Sequence, residues 1–311
     1  MQTGKNKRLA RFALIGALGL GSSGCIKQML LDGQIASTRK ASAAVDTLGD
    51  YEVANAAAFA GLAQFEGMHY LAPENEDGLF MLVKGWAGVG FAFIEDQMEQ
   101  AEDAEGTDSP LYLYHRARAR AAYERGIHYG IELLEMKNEG FEAAKKNDAT
   151  MKTWLAEFND PEADVPVLFW TGQAWLAKTN ILKEDPAIVS ELFIGVAMVE
   201  RALQLDESYL FGSGHVVLGA YHARSGMAEL DESKRHFDKA IQMSQGKALM
   251  AKFQFATKYY CTKSDKQNYE KLLNEVIDAG DVFPEQRLTN TIAKRRAQRY
   301  LSKERQKNCG F

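Results

Sequence analysis

The amino-acid sequence predicts an all-α protein built from stacked antiparallel helix hairpins, and three observations carry that expectation. From about residue 50 onward, apolar side chains recur at helical spacing, and no segment sustains the period-two alternation of a half-buried strand. A helical hexad is repeated: Glu200-Arg-Ala-Leu-Gln-Leu205 returns 38 positions later as Asp238-Lys-Ala-Ile-Gln-Met243. The chain of 311 residues is 46% hydrophobic with only 6 prolines, a folded composition with ample material for a core. Its glycines follow no three-residue period and it holds 3 cysteines, which excludes a collagen and a disulfide scaffold.

The N-terminus is a separate unit. Lys5, Lys7, Arg8 and Arg11 precede the apolar run Phe12 to Leu20, with no acid among them. At a rise of about 1.5 Å per residue that run is too short for a hydrocarbon core of about 30 Å, so 1–24 is expected to be a signal peptide. The run ends in Gly21-Ser22-Ser23-Gly24-Cys25. Small residues before a single cysteine resemble a bacterial lipobox, with Ser22 where an aliphatic is usual. That resemblance implies lipidation of Cys25, whose several acyl chains would anchor the mature protein stably. Ordinary signal cleavage with Cys25 as a plain thiol is the alternative. Ile26 follows, not aspartate, which in signals of this class points to the outer membrane. Loss of 1–24 removes four cations and no acid, taking the formal charge from −5 to near −9. Such a body is no general polyanion binder, and no nucleic acid is expected as a partner.

Residues 25–49 read as an anchored linker and first helix, and 50–308 as a helical-repeat domain. Gly61, Phe65, Met68 and Pro73 show the small, bulky, small and proline positions of a tetratricopeptide repeat, with Met68 in place of the usual alanine. Pro73-Glu74-Asn75 then breaks the helix. Val165-Pro166 signals a bend. Val199 with Ala202, and Phe237 with Ala240, supply the bulky residue and close-packing alanine of a repeat's second helix. Leu218-Gly219-Ala220-Tyr221 between them is similar to a first helix. From Asp265 to Gly280, Tyr269, Leu272, Leu273, Val276 and Ile277 share one helix face, opened by an acid and closed by a glycine. Pro284-Glu285 suits the first turn of a final helix running to about Gln306. About four such hairpins, each unable to bury its apolar face alone, would stack as a degenerate tetratricopeptide-like α-solenoid. In the last helix Lys294, Arg295, Arg296, Arg299, Lys303, Arg305 and Lys307 are accompanied only by Glu304. A solvated helix face is expected, with lipid headgroups or an acidic partner as the alternative.

Several segments together resemble the T-component family of TRAP transporters, lipoproteins with tetratricopeptide-like repeats associated with tripartite ATP-independent periplasmic transport. The resemblance rests on Ser23-Gly24-Cys25, Pro73-Glu74-Asn75, Tyr123-Glu-Arg-Gly-Ile-His-Tyr-Gly130, Val165-Pro-Val-Leu-Phe-Trp170 with Trp175, His236-Phe-Asp-Lys-Ala240 and Arg287-Leu-Thr-Asn290. It implies a non-enzymatic helical protein that oligomerises as a trimer on a membrane facing the periplasm. It further implies a solute-binding P-component as partner and a channel through each protomer suited to an apolar or amphipathic organic acid.

Were such a channel present, Trp86, Phe169, Trp170, Trp175 and Tyr221 are candidates for its wall, core packing being the alternative. The stretch Gly85-Trp-Ala-Gly-Val-Gly90 lacks the Lys-Ser/Thr and preceding strand of a phosphate loop, and reads as close helix packing. Among the histidines, His215 and His222 could share a helix face, but without a local carboxylate they make a poor metal site, so no metal or cofactor is expected. His128 lies in the family-like segment and is a candidate for a structural or ligand role. Cys261 and Cys309 remain after Cys25; an exported chain meets an oxidising compartment, which permits one disulfide between them. Two rival readings stay in view. One is a general repeat scaffold for envelope assembly, holding an extended peptide or helix on its concave face. The other is a lytic transglycosylase, for which Glu207-Ser208-Tyr209 is a partial match to the catalytic glutamate signature.

Overall fold

Capping side chains set the helix starts. Asp50 Oδ1 accepts from the amides of Glu52 and Val53 at 2.9 and 3.1 Å, Asn75 Oδ1 from Gly78 at 2.9 Å, and Asp265 Oδ1 from Asn268 at 3.1 Å. Pro110 and Pro161 occupy first helical positions behind Ser109 and Asp160, where their missing N–H costs nothing. The computed structural model describes residues 26–224 and 228–311, and among these it is helical with no strand. Cys25 and the signal-peptide expectation lie outside the described residues.

A helix over 26–42 (α1) and a 3₁₀ turn, Ala43–Thr47, lead into α2 (Tyr51–Leu71), α3 (Glu76–Glu105) and α4 (Pro110–Lys137). Then come α5 (Asp148–Leu155), α6 (Pro161–Ile181), α7 (Leu192–Leu205), α8 (Ser213–His222) and α9 (Leu230–Met243). The chain continues through α10 (Leu249–Gln254), α11 (Lys266–Asp278) and α12 (Arg287–Tyr300), ending in a short turn, Lys303–Lys307. Two helices relax into π-helical stretches, α3 at Gly90–Ile94 and α10 in its continuation Phe255–Tyr260. By length and hydropathy α3 could cross a bilayer, yet 67% of its apolar window is buried in the body, which makes it a core helix.

Neighbours in sequence pack as neighbours in space: α3 on α2 and α4, α6 on α7, α8 on α9, while α4 also packs on α6. The approach of α6 to α7 is set by two glycines. A Cβ on Gly172 would lie 2.9 Å from the Gly195 carbonyl oxygen, and a Cβ on Gly195 would lie 3.0 Å from that of Gly172. In the α8–α9 pair a small residue meets a large one. Gly219 leaves room for the fully buried Phe237 ring, and Ser233 Oγ donates to the Gly219 carbonyl at 2.7 Å. Gly85 and Gly90 likewise face Leu62 and Tyr123 at distances a Cβ would violate, so the glycine-rich stretch is a packing surface.

The arrangement departs from an open stack in one respect. Repeats of an open solenoid touch only their neighbours, whereas α12 returns to the start of the domain. Arg287 Nη1 donates to the Thr47 carbonyl at 2.9 Å, and the Arg295 guanidinium lies 4.4 Å from the Tyr51 ring centre. The expectation of a solvated basic face holds for Lys303 and Lys307, which are exposed, and is overturned for the arginines. Arg296 is 2% exposed and Arg305 8%, because carboxylates that pair with the arginines, Glu95, Asp96, Glu99, Glu102 and Asp103, stand along one stretch of α3. Two boundaries also shift. Pro166 sits inside α6, which begins at Pro161, so it does not break the helix; the helix is anchored by Asp164, which takes 2.6 Å and 2.7 Å bonds from Lys137 Nζ. The final helix stops at Tyr300 because Ser302 caps a new turn, accepting from the Arg305 amide at 3.3 Å.

Candidate functional site

The helices close around a cavity of about 1540 Å³. Its wall draws residues from α1, α2, α3, α4, α6, α7, α8, α10 and α12, so it belongs to the closed body rather than to one hairpin. Both π-helical stretches contribute to it, α3 through Phe91 and Phe93 and α10 through Thr257 and Lys258. A π stretch widens the turn and turns side chains out of the regular register, and such stretches concentrate at functional sites.

Of the sequence candidates, Phe169, Trp170 and Tyr221 line the cavity. The Phe169 ring meets Trp170 edge-on at 5.3 Å and Tyr209 at 5.5 Å. Trp170 Nε1 donates to the Tyr209 hydroxyl at 3.2 Å, which fixes the indole. Burial pushes the Tyr209 hydroxyl up to about 12. Tyr221 carries the Arg224 guanidinium 4.0 Å from its ring centre.

The other candidates stand elsewhere. Trp175 is 5% exposed and packs against Phe141 with ring centres 6.0 Å apart, which makes it core. Trp86 Nε1 donates at 2.8 Å to Glu66, a carboxylate that also receives Arg125 at 2.5 and 2.6 Å and the Tyr129 hydroxyl at 2.8 Å. Burial would raise the Glu66 carboxyl, but the donors from Arg125, Tyr129 and Trp86 outweigh it and hold it near 2. His128 is exposed, 5.3 Å from the Tyr129 ring and 3.9 Å from Glu132. Cys261 and Cys309 are joined as a disulfide with their Cα atoms 4.7 Å apart. The bond ties the chain end to the continuation of α10, and Cys261 borders the cavity.

The histidines on α8 and α9 do come together. His215 Nδ1 and His236 Nδ1 are 2.8 Å apart, and the His222 and His236 rings stack at 5.5 Å. Burial, then the neighbouring His215, pulls the His236 ring down to about 4. Among the described residues no group of three or more His, Cys, Asp or Glu is arranged to hold a metal ion. Glu207 faces Lys239 at 3.1 Å and His215 at 3.0 Å, and these hydrogen-bonded partners lower its carboxyl. A glycosidic acid needs the opposite, an apolar pocket that raises it.

What the sequence did not signal is the polar part of the cavity wall. Glu95, Glu99, Arg296 and Arg305 all border it. Arg296 Nη2 donates to the Phe91 carbonyl at 2.8 Å, and its guanidinium lies over the Phe91 ring at 4.7 Å. Burial raises the Glu95 carboxyl despite Arg296 and a hydrogen bond from Tyr123, while for Asp96 and Glu99 the arginines overcome burial and lower them. The legible trace was the acidic spacing 95–96, 99 and 102–103, the complement of 295–296, 299 and 305.

Residues 48–307 match the family model described as TRAP transporter T-component. Over 163 residues the chain is 24% identical to an uncharacterised protein of Treponema pallidum (strain Nichols), a match covering 52% of this chain and 49% of that protein. The match therefore spans about half the length of that relative.

Proposed function

The chain belongs to the TRAP transporter T-component family, and on that premise we propose that it is a lipid-anchored accessory component facing the periplasm. In this reading it docks a solute-binding P-component and passes an apolar or amphipathic organic acid through its central cavity, with no bond made or broken. The observation that carries the proposal is the cavity itself: about 1540 Å³, above the roughly 300–1,000 Å³ of ordinary small-molecule sites, with a fixed aromatic wall at Phe169 and Trp170. Lipidation at Cys25, the outer-membrane location and a trimeric assembly belong to the same proposal.

The test is a pull-down from envelope extract with the body lacking residues 1–25, followed by mass spectrometry of the proteins and small molecules retained. Recovery of a periplasmic solute-binding protein with an organic acid supports the reading. Recovery of assembly or secretion machinery instead replaces it with a general scaffold. For the anchor, Cys25→Ala should release the full chain from membranes with its helical content intact, and membrane retention of that variant would count against lipidation.

A further inference from the structure

Lys258 occupies an unusual position. It stands half-buried on the π-helical stretch of α10 and borders the cavity. The arginines of α12 and the C-terminal turn have carboxylate partners: Arg295 and Arg299 on Asp96 at 2.9 and 2.8 Å, Arg305 on Glu102 and Asp103 at 2.8 and 2.6 Å. Lys258 senses Glu99, Glu95, Arg296 and Lys183 through space, yet makes no hydrogen bond or ion pair among the described residues. One helical turn earlier stands Gln254, whose Oε1 is buried without a partner and which also borders the cavity. Side chains four residues apart share a helix face. A lysine without a protein partner among the described residues and an amide on the same cavity wall offer a cation and N–H donors to a ligand in the cavity.

We propose that Lys258 and Gln254 form the headgroup site of the cavity, binding the carboxylate of a single-tailed amphipathic acid whose tail lies along Met250, Phe253, Phe91 and Met98. The proposal rests on the reading of the cavity as a solute path and names the residues that would select an acid over a neutral solute. The ammonium supplies the counter-charge and one donor, and the Gln254 amide nitrogen supplies a second donor, matching the two oxygens of a carboxylate. The four tail residues line the same cavity, and two of them lie on α10 itself. Glu95 and Glu99, the acids nearest to the ammonium, do not close the site. Glu99 is committed to Arg299, and burial favours the proton-bearing form of Glu95, which leaves the Lys258 charge to an incoming anion. Burial also lowers the Lys258 ammonium, and a bound carboxylate would raise it again, so binding should be accompanied by proton uptake.

The test is titration calorimetry of the full chain with octanoate and with octanamide, which share a tail and differ in charge. Octanoate should bind the wild type, and its affinity should fall as the pH is raised from about 7 to about 10 and the lysine loses its proton. Lys258→Met should weaken octanoate by about tenfold or more and leave octanamide unchanged, and Lys258→Arg should recover part of the loss. Gln254→Leu, which keeps the charge, should weaken octanoate severalfold and serves if the lysine variant does not fold. Unchanged octanoate binding in Lys258→Met and Gln254→Leu would overturn the headgroup site while leaving the cavity reading standing. Equal loss of both ligands would also overturn it, by making Lys258 structural. If neither ligand binds the wild type, the cavity reading fails and the inference falls with it.

Discussion

Arg299 Nη1 lies 2.8 Å from Asp96 Oδ1, joining two residues 203 positions apart in the chain at a point where the carboxylate is 1% exposed and the guanidinium 14%. Breaking a buried pair from one side leaves an uncompensated charge, which costs about 3–5 kcal/mol. Arg299→Met should therefore lower stability by an amount in that range and loosen the closure of α12 on α3. Denaturant unfolding checks the first, and hydrogen exchange at the α3 and α12 amides checks the second. The double variant Arg299→Met with Asp96→Leu should recover little of the loss, because Glu99 loses Arg299 and Arg295 loses Asp96 in the same network.

The contact between Gly172 and Gly195 leaves no room for a methyl group, since each would meet the other helix's backbone. Gly195→Ala should destabilise the protein by about 1–3 kcal/mol through overpacking. The same substitution at Gly88, where nothing stands within 4 Å, should be close to neutral or stabilising. Thermal unfolding of the two variants compares them directly.

The disulfide closes a loop of 48 residues, for which loop entropy gives about 4 kcal/mol as an upper expectation. Reduction, or serine at both positions, should lower stability by roughly 2–4 kcal/mol. The loss should be local first, because Cys309 holds the chain end whose Phe311 ring packs 5.2 Å from Tyr269. Early exchange of amides in α11 and the C-terminal turn would show this.

Two tryptophans separate wall from core. Trp175→Ala should cost about 3–5 kcal/mol, as for other large core deletions. Trp170→Ala, half-buried on the cavity, should cost less and should weaken octanamide binding more than it weakens the fold. A stability loss at Trp170 equal to that at Trp175 would return it to the core.

His236 gives a pH dependence with a defined sign. Its folded value is near 4, below the ordinary histidine value of about 6.5. Between those limits the unfolded chain takes up a proton that the folded chain refuses, so acidification through this window lowers stability. Glu232 offers the ring a little relief, whereas His215, Arg235 and His222 all oppose its protonation. His236→Gln should flatten the stability profile between about pH 6.5 and about pH 4, measured by denaturant unfolding at a series of pH values.

Much of the helical plan was legible in local sequence. Asp50, Asn75, Asp160 and Asp265 cap helices where their side chains reach the next free amides, and Gly219 against Phe237 is a packing rule written in two residue types. Where the local rule had competition it failed. Pro166 reads as a bend, but Asp160 and Pro161 already start a helix that tolerates it, and Asp164 fastens that helix to Lys137.

The site was less legible because its residues come from distant segments. Trp170 and Trp175 sit on one helix, and only the position of Phe141 and α7 beside it decides that one faces the cavity while the other is sealed in. The sequence by itself determined an all-α chain, its capped helix starts, its small-residue crossings and the family to which it belongs, since these depend on spacing and residue type within a few turns. Only the tertiary structure decided that the chain closes, that arginines expected in water pair with carboxylates of α3, and that Lys258 has no ion pair among the described residues. Those outcomes depend on charges some 200 residues apart meeting in a region of low dielectric constant, where a pair is fixed by what it faces in space and not by its sequence neighbours.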